Sequence, residues 1–165
     1  MKILDDRQIR QKIKRLAIEI LERHFGEPEI ILAGLNNNGV EFAQLLLAEL
    51  RPIAPPGMTL TPTRIRLNPA NPLEYPPAID LPAEKLRERP VIIVDDVANT
   101  GRTIFYAVQP LLGVIPKQVE VAVLVDRKHK SYPIKADYVG LSLYTTMRDN
   151  IEVQISGGEM AVYLR

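Results

Sequence analysis

Two adjacent carboxylates, Asp95 and Asp96, stand between an apolar run, Val91 to Val94, and a short polar loop ending in Asn99-Thr100-Gly101-Arg102-Thr103. A carboxylate only accepts hydrogen bonds, so two of them at one strand end suit the vicinal hydroxyls of a ribose-like diol or the waters around a cation. The loop from Ala98 to Thr103 adds backbone N–H groups, two threonine hydroxyls and the start of a helix, which are the donors a monophosphate requires. Gly101 lets the backbone approach such a ligand closely. Either piece alone is compatible with a strand cap or an ordinary turn. Apolar run, acidic pair and loop in unbroken order favour a site for a phosphorylated sugar.

A second polar turn, Asn36-Asn37-Asn38-Gly39, follows the apolar segment Glu29 to Leu35 and precedes an apolar helical pattern that runs to about Leu50. Strand, short glycine-containing loop and helix make another anion-friendly turn. Its side chains are neutral amides, and because asparagine tolerates left-handed backbone, a tight turn with nothing bound is the competing reading. A third polar stretch, Asp126-Arg127 and then Lys128-His129-Lys130, follows the apolar segment Val119 to Val125. Asp126 reads as a ligand group or as a plain strand-end cap. The Lys-His-Lys loop reads as a nucleic-acid contact or as solvated surface, and His129 has no partner at a spacing that would make it a catalytic base.

These turns need a frame. Val91 to Val94 lacks alternation, the pattern of a central parallel strand buried on both faces, and ligands gather at the carboxyl ends of such strands. Segments 29–35, 119–125 and 138–143 read as companion strands that alternate with helical patterns. The fold class is therefore α/β, a central, mainly parallel, twisted sheet flanked by helices. Leu4-Asp5-x-x-Gln8-Ile9 predicts a helix start with Asp5 as N-cap, Gln8 as its capping-box partner and Leu4 against Ile9 as a hydrophobic staple. Ile9, Ile13, Leu16, Ala17 and Ile20 give that helix one buried stripe. Its other face carries Arg7, Arg10, Lys12, Lys14 and Arg15, either a solvated surface or one for nucleic acid or a partner.

Between Arg51 and Pro90 the prolines leave a single predicted strand, around Thr63 to Leu67. Residues 68 to 79 form a stiffened loop without Lys or Arg, so Arg64 and Arg66 on the preceding strand are the nearby sources of charge, and Tyr75 is a candidate cover. Arg102 to Leu112 is predicted as a helix distorted by Pro110 and ended by Gly113. Ile151 to Ile155 and Met160 to Leu164, flanking Ser156-Gly157-Gly158-Glu159, predict a C-terminal β-hairpin.

Length and composition bound the rest. The 165 residues are most simply one domain, residues 1 to 165. The sequence has no cysteine, which excludes a disulfide framework, a thiol nucleophile and a thiolate metal site. It has no long apolar run or signal-peptide pattern, which predicts a cytoplasmic protein without a membrane partner. A net charge of +1 gives no global pull toward nucleic acid, so RNA binding would have to come from local patches.

VIIVDDVANTGRT, residues 91 to 103, resembles the 13-residue phosphoribosyl-pyrophosphate signature of type I phosphoribosyltransferases. AVLVDRKHKSYPIKADYVG, residues 122 to 140, is similar to the matching segment of the bifunctional pyrimidine-operon attenuator and uracil phosphoribosyltransferase family, and the resemblance extends more loosely from about residue 9 to the C-terminus. What the resemblance implies is the type I phosphoribosyltransferase fold with a small hood. The implied reaction is magnesium-dependent transfer of ribose 5-phosphate from phosphoribosyl pyrophosphate to a nucleobase, uracil first, with release of pyrophosphate. Asp95 and Asp96 would serve the ribose hydroxyls and, through water, Mg2+; residues Ala98, Asn99, Thr100, Gly101, Arg102 and Thr103 would hold the 5-phosphate. Asn36, Asn37, Asn38 and Gly39 would hold pyrophosphate, although the family usually places a basic residue where Asn38 stands. Asp126, Arg127 and Tyr144 fall in the base region, with Lys128, His129 and Lys130 a possible RNA surface. The loop over residues 68–79 falls where such enzymes keep a closing loop, and the family commonly forms dimers. The alternatives are a purine phosphoribosyltransferase or a nucleotide-sensing, RNA-binding regulator of pyrimidine genes with little or no catalysis.

Overall fold

The computed structural model describes residues 1–146 and 148–165. The chain runs β1 (Lys2–Leu4), α1 (Asp6–Arg23), β2 (Glu29–Leu35), α2 (Asn36–Leu50), β3 (Thr59–Arg66), β4 (Ala78–Ile79), β5 (Pro90–Ala98), α3 (Arg102–Ala107), β6 (Gln118–Arg127), β7 (Tyr138–Leu143), β8 (Ile151–Gln154) and β9 (Ala161–Leu164). Six strands form the main sheet in the order β4-β3-β2-β5-β6-β7, parallel except for β4. A second, three-stranded antiparallel sheet in the order β1-β9-β8 forms the hood.

The strand order explains where a ligand belongs. After β2 the chain passes through α2 to β3 on one side; after β5 it passes through α3 to β6 on the other. Neighbouring parallel strands whose connections diverge leave a crevice at their carboxyl ends, and here those strands are β2 and β5. Both are buried on both faces. Ile30, Leu32, Ile92 and Val94 pack toward α1 and α2, while Ile31, Ala33, Val91 and Ile93 pack toward α3. Continuous apolar runs are what such strands require.

Helix α1 starts with the expected capping box: the Gln8 N–H donates to Asp5 Oδ1 at 2.9 Å, and the Asp5 N–H donates to Gln8 Oε1 at 2.9 Å. Its buried residues are the predicted stripe. Elsewhere several boundaries move. The Asn36–Gly39 turn is itself the first turn of α2, entered through Asn36 at φ 51°, the left-handed backbone that asparagine tolerates. Strand β3 begins at Thr59 and carries Pro62 in its interior, which is tolerated because β4 pairs only with Ile65 and Arg66 and leaves that edge free. Besides β3, the proline-rich segment contains β4 and a short 3-10 helix, Ala83–Leu86. Helix α3 stops at Ala107, and Pro110 lies in a separate 3-10 turn, Gln109–Leu111, because its ring and missing N–H break the α-ladder. Strand β6 runs two residues beyond the predicted end and includes Asp126 and Arg127. The hairpin forms as predicted, with Gly157 and Gly158 at positive φ in its turn.

Candidate active site

A cleft of about 730 Å³ opens at the carboxyl ends of β2 and β5. The first turn of α2, Asn36 to Asn38, forms one wall, and Asp95, Asp96 and Thr103 form the opposite one. Arg64 and Arg66 enter from β3, Tyr75 and Pro69 from the proline-rich loop, and Ile151 from the hood. The two turns separated by some 60 residues in sequence thus share one space, and Tyr75 is among the residues that line it.

Both carboxylates are part of β5 rather than of the loop after it. Asp95 Oδ1 accepts from the Asp96 N–H at 2.9 Å, and Asp96 Oδ1 accepts from the Val97 N–H at 2.8 Å. Each side chain is thereby oriented by its own backbone. Burial, and then the adjacent Asp96 charge, push the Asp95 carboxyl well above the ordinary carboxylate range. Two adjacent, half-buried carboxylates oppose each other's ionisation, and a bound cation or a donor-rich diol relieves that opposition. The site's donor set is oxygen only, and among the described residues no cluster of three or more His, Cys, Asp or Glu side chains could cage a metal. That suits Mg2+, which takes one or two carboxylates and completes its shell with water and phosphate oxygens.

Beyond Asp95 the chain folds into a cup of about 40 Å³ lined by residues 98 to 104. Gly101 stands at φ 89°, and a Cβ there would come within 3.1 Å of Ile134, so both backbone and space favour glycine. Because α3 is only six residues long, the cup depends on the loop's own N–H groups and the Thr100 and Thr103 hydroxyls more than on a helix dipole. Arg102 is among the residues that line the cup, and its Nη2 donates to the Pro69 carbonyl at 2.7 Å, which ties the proline-rich loop to the cup's rim.

On the other wall, Gly39 allows α2 to lie against β5, since a Cβ there would sit 2.4 Å from the Val94 carbonyl oxygen. The first turn of α2 contains no acidic residue, and its N-cap, Leu35, has no side chain that could cap it. Among the described residues no side chain caps its leading N–H groups, which have no intrahelical partner, and Asn36, Asn37 and Asn38 line the cleft. Asn36 is partly committed, because its Oδ1 accepts the Leu67 N–H at 3.1 Å.

The third predicted cluster lies apart from the cleft walls. Asp126 is 3% exposed, accepts a hydrogen bond from Lys130 at 2.7 Å and pairs with the Lys128 ammonium at 3.1 Å, so its carboxylate is a counter-ion for the loop that follows it. Lys130 also donates to the Asn99 carbonyl at 2.9 Å, and His129 is bonded to the Thr145 carbonyl. Lys128 and Lys130 thus share the one Asp126 carboxylate, which offsets one of their two charges. Arg127 is more heavily used than any sequence pattern suggests. Its guanidinium donates to Thr145 Oγ1 at 2.8 Å, Asn99 Oδ1 at 3.2 Å, and the Thr146 and Asp149 carbonyls at 2.8 Å each. It fastens the cup after β5 to the segment before β8, and beside it Asn99, Thr100 and His129 border a small pocket of about 130 Å³. Tyr144 is 84% exposed and does not line the cleft.

The sequence profile described as the phosphoribosyl transferase domain matches residues 1–156. The chain is 34% identical over 162 residues to the bifunctional protein PyrR of Bacillus pumilus, spanning 93% of this chain and 89% of that one. To the bifunctional protein PyrR of Bacillus cereus it is 35% identical over 161 residues, with the same coverage. Among solved structures, a hypoxanthine-guanine phosphoribosyltransferase (hpt-2) from Bacillus anthracis superposes with a TM-score of 0.71 at 22% identity, covering 86% of this chain and 81% of that one. At that identity the likeness is one of fold.

Proposed function

The chain belongs to the phosphoribosyl transferase domain family, in its type I, PyrR-like branch, and on that premise we propose that it transfers ribose 5-phosphate from phosphoribosyl pyrophosphate to uracil. The observation that carries this reading is the shared cleft: an acidic pair and phosphate cup on one wall, the uncapped amides of α2 on the other. Phosphoribosyl pyrophosphate has the matching parts, with a 5-phosphate for the cup, a 2,3-diol for Asp95 and Asp96, and a diphosphate for the α2 turn.

In the reaction the C1–O bond to pyrophosphate breaks and a C1–N bond to the base forms. Pyrophosphate leaves with the electron pair, and the N–H proton of the base passes to solvent water. Displacement at a sugar's anomeric carbon passes through an oxocarbenium-like state, so positioning and electrostatics suffice and no protein nucleophile is required. Asp95 and Asp96 would hold the diol and, through water, Mg2+; bound there, the ion would neutralise charge on the diphosphate. Fixed carboxylates beside the sugar also favour the positive charge that develops on its ring. Arg127 would keep the cup and the hood segment in register while the base is held.

Uracil is favoured by the similarity of residues 122–140 to the pyrimidine family and by identity to the PyrR proteins. The test is pyrophosphate release with phosphoribosyl pyrophosphate, Mg2+ and a panel of uracil, hypoxanthine, guanine and orotate. Release with uracil alone supports the proposal, and release with a purine alone reassigns the base. A second reading, an RNA-binding regulator that senses nucleotides, is favoured by the neutral Asn36–Asn38 turn. It predicts no release with any base, together with RNA binding that weakens steeply with salt.

A further inference from the structure

The proline-rich loop over residues 68–79 is a pre-shaped body. Asn68 Oδ1 accepts the Ala70 N–H at 3.0 Å, Asn71 Oδ1 accepts the Leu73 N–H at 3.3 Å, and the Glu74 N–H donates to the Asn71 carbonyl at 3.0 Å. Asparagine side chains that bond the backbone two residues on fold short turns, and Pro69, Pro72, Pro76 and Pro77 fix φ along the same stretch. The two ends of the loop are tied to α2 and β3: the Leu67 N–H donates to Asn36 Oδ1 at 3.1 Å, and the Asp80 N–H donates to the Arg64 carbonyl at 3.0 Å. Toward β5 there is a single link. Arg102 Nη2 donates to the Pro69 carbonyl at 2.7 Å, and among the described residues no other hydrogen bond joins residues 68–79 to the β5 side. Arg102 therefore serves two structures at once. Its N–H donates to Thr100 Oγ1 at 3.3 Å within the cup, while its side chain holds a loop whose Asn68, Pro69 and Tyr75 line the cleft. That N–H bond is long, so a phosphate oxygen in the cup is the stronger acceptor.

We propose that Arg102 is a positioning residue that couples the cup to the proline-rich loop: a phosphate held at its N–H steadies the start of α3, and its guanidinium then fixes Pro69 and the loop beside the cleft. The inference rests on the proposed transferase reading and adds regulation within that same site. An arginine side chain has much rotamer freedom, and the cost of ordering it opposes the bond to Pro69. A ligand that has already ordered the residue's backbone lowers that cost, so cup and loop order one another with no new contact between them. Because the loop is already folded on its own turns, one bond at Pro69 steadies the whole of it. The coupling is reciprocal: a seated loop tightens the cup by the same factor.

The test is amide hydrogen exchange over residues 68–79 in the wild type, Arg102→Met and Arg102→Lys, each with and without saturating ribose 5-phosphate, whose affinity is measured by calorimetric titration. Ribose 5-phosphate has no diphosphate, so it fills the cup without the leaving group. In the wild type it is expected to slow exchange across the loop by at least about fivefold. Arg102→Met should still bind it within about fivefold of wild type, because backbone N–H groups hold the phosphate, yet show no slowing in the loop. Arg102→Lys, whose ammonium can still donate to the Pro69 carbonyl, should recover part of the slowing. Equal slowing in Arg102→Met, or none in a wild type that binds the ligand, overturns the coupling. Faster exchange in β2 and β5 as well as in the loop also overturns it, because Arg102 would then act on general stability. A wild type that does not bind ribose 5-phosphate contradicts the transferase reading itself, a separate failure.

Discussion

The two turns at the switch point of the sheet, one after β5 and one after β2, solve related problems in different ways. The β5 turn is rich in side-chain chemistry: two carboxylates inside the strand, two threonine hydroxyls, and a glycine at φ 89° that shapes a cup. The β2 turn has no charge at all and presents three amides and an uncapped helix start. Its glycine permits close packing of α2 on β5 and has no part in a left-handed turn. The difference teaches that a cleft wall can take its cations from another element, here Arg64 and Arg66 of the neighbouring strand β3, while the turn itself stays neutral. On the other side the carboxylates are part of the strand β5 itself.

That contrast can be broken from either side. The largest effect is expected at Gly39: Gly39→Ala forces a methyl group toward the Val94 carbonyl oxygen and should cost about 3 kcal/mol of stability, read as a fall in Tm of roughly 6–12 °C for a domain of this size. A Tm within a degree of wild type would show that α2 need not sit so close to β5. Asp96→Asn should lower kcat by at least about tenfold, roughly 1.4 kcal/mol of barrier, with the fold intact. Unchanged steady-state kinetics in that variant would remove the acidic pair from the account. Asn38→Lys restores a cation to the β2 turn and should tighten pyrophosphate binding by about threefold to tenfold, as expected for a partly screened charge pair; weaker binding would mean the turn does not face the diphosphate.

The smallest effect concerns pH. Asp95 is raised above its ordinary value near 3.8, so the folded state favours the protonated carboxyl. Its contribution to stability is complete below that ordinary value and is lost as pH rises through the raised one, which makes the ligand-free protein less stable at alkaline than at mildly acidic pH. Asp95→Asn should flatten this part of the profile and raise Tm at pH 8 by a few degrees while impairing turnover. A parallel profile in the variant would contradict the buried, charge-opposed environment of Asp95.

The β5 side was legible in the sequence because strand, acidic pair and loop are contiguous, and residue types along a continuous segment carry their own spacing. The β2 side was legible as a turn, although its start as helix was not, since Asn36 at φ 51° launches α2 without a side-chain cap that a pattern could flag. What escaped the sequence depends on distant partners. Strands β1 and β4, of three and two residues, are too short to show a period and exist only through their pairing with β9 and β3. Asp126 reads equally as ligand group or cap until Lys128 and Lys130 are seen to fold back on it. Arg127 gains its role from partners 18 to 28 residues away. Ile151 reaches the cleft only because the hairpin returns over it.

The central claim is that the β5 and β2 turns together bind one molecule of phosphoribosyl pyrophosphate. Calorimetric titration of that compound with Mg2+ into the wild type and into Gly101→Val tests it most directly, since a valine at φ 89° and against Ile134 strains the loop that forms the cup. The account predicts one-to-one binding by the wild type and loss of at least about tenfold in affinity in the variant, with pyrophosphate alone still binding. Equal affinity in both proteins, or no binding by the wild type, would contradict it.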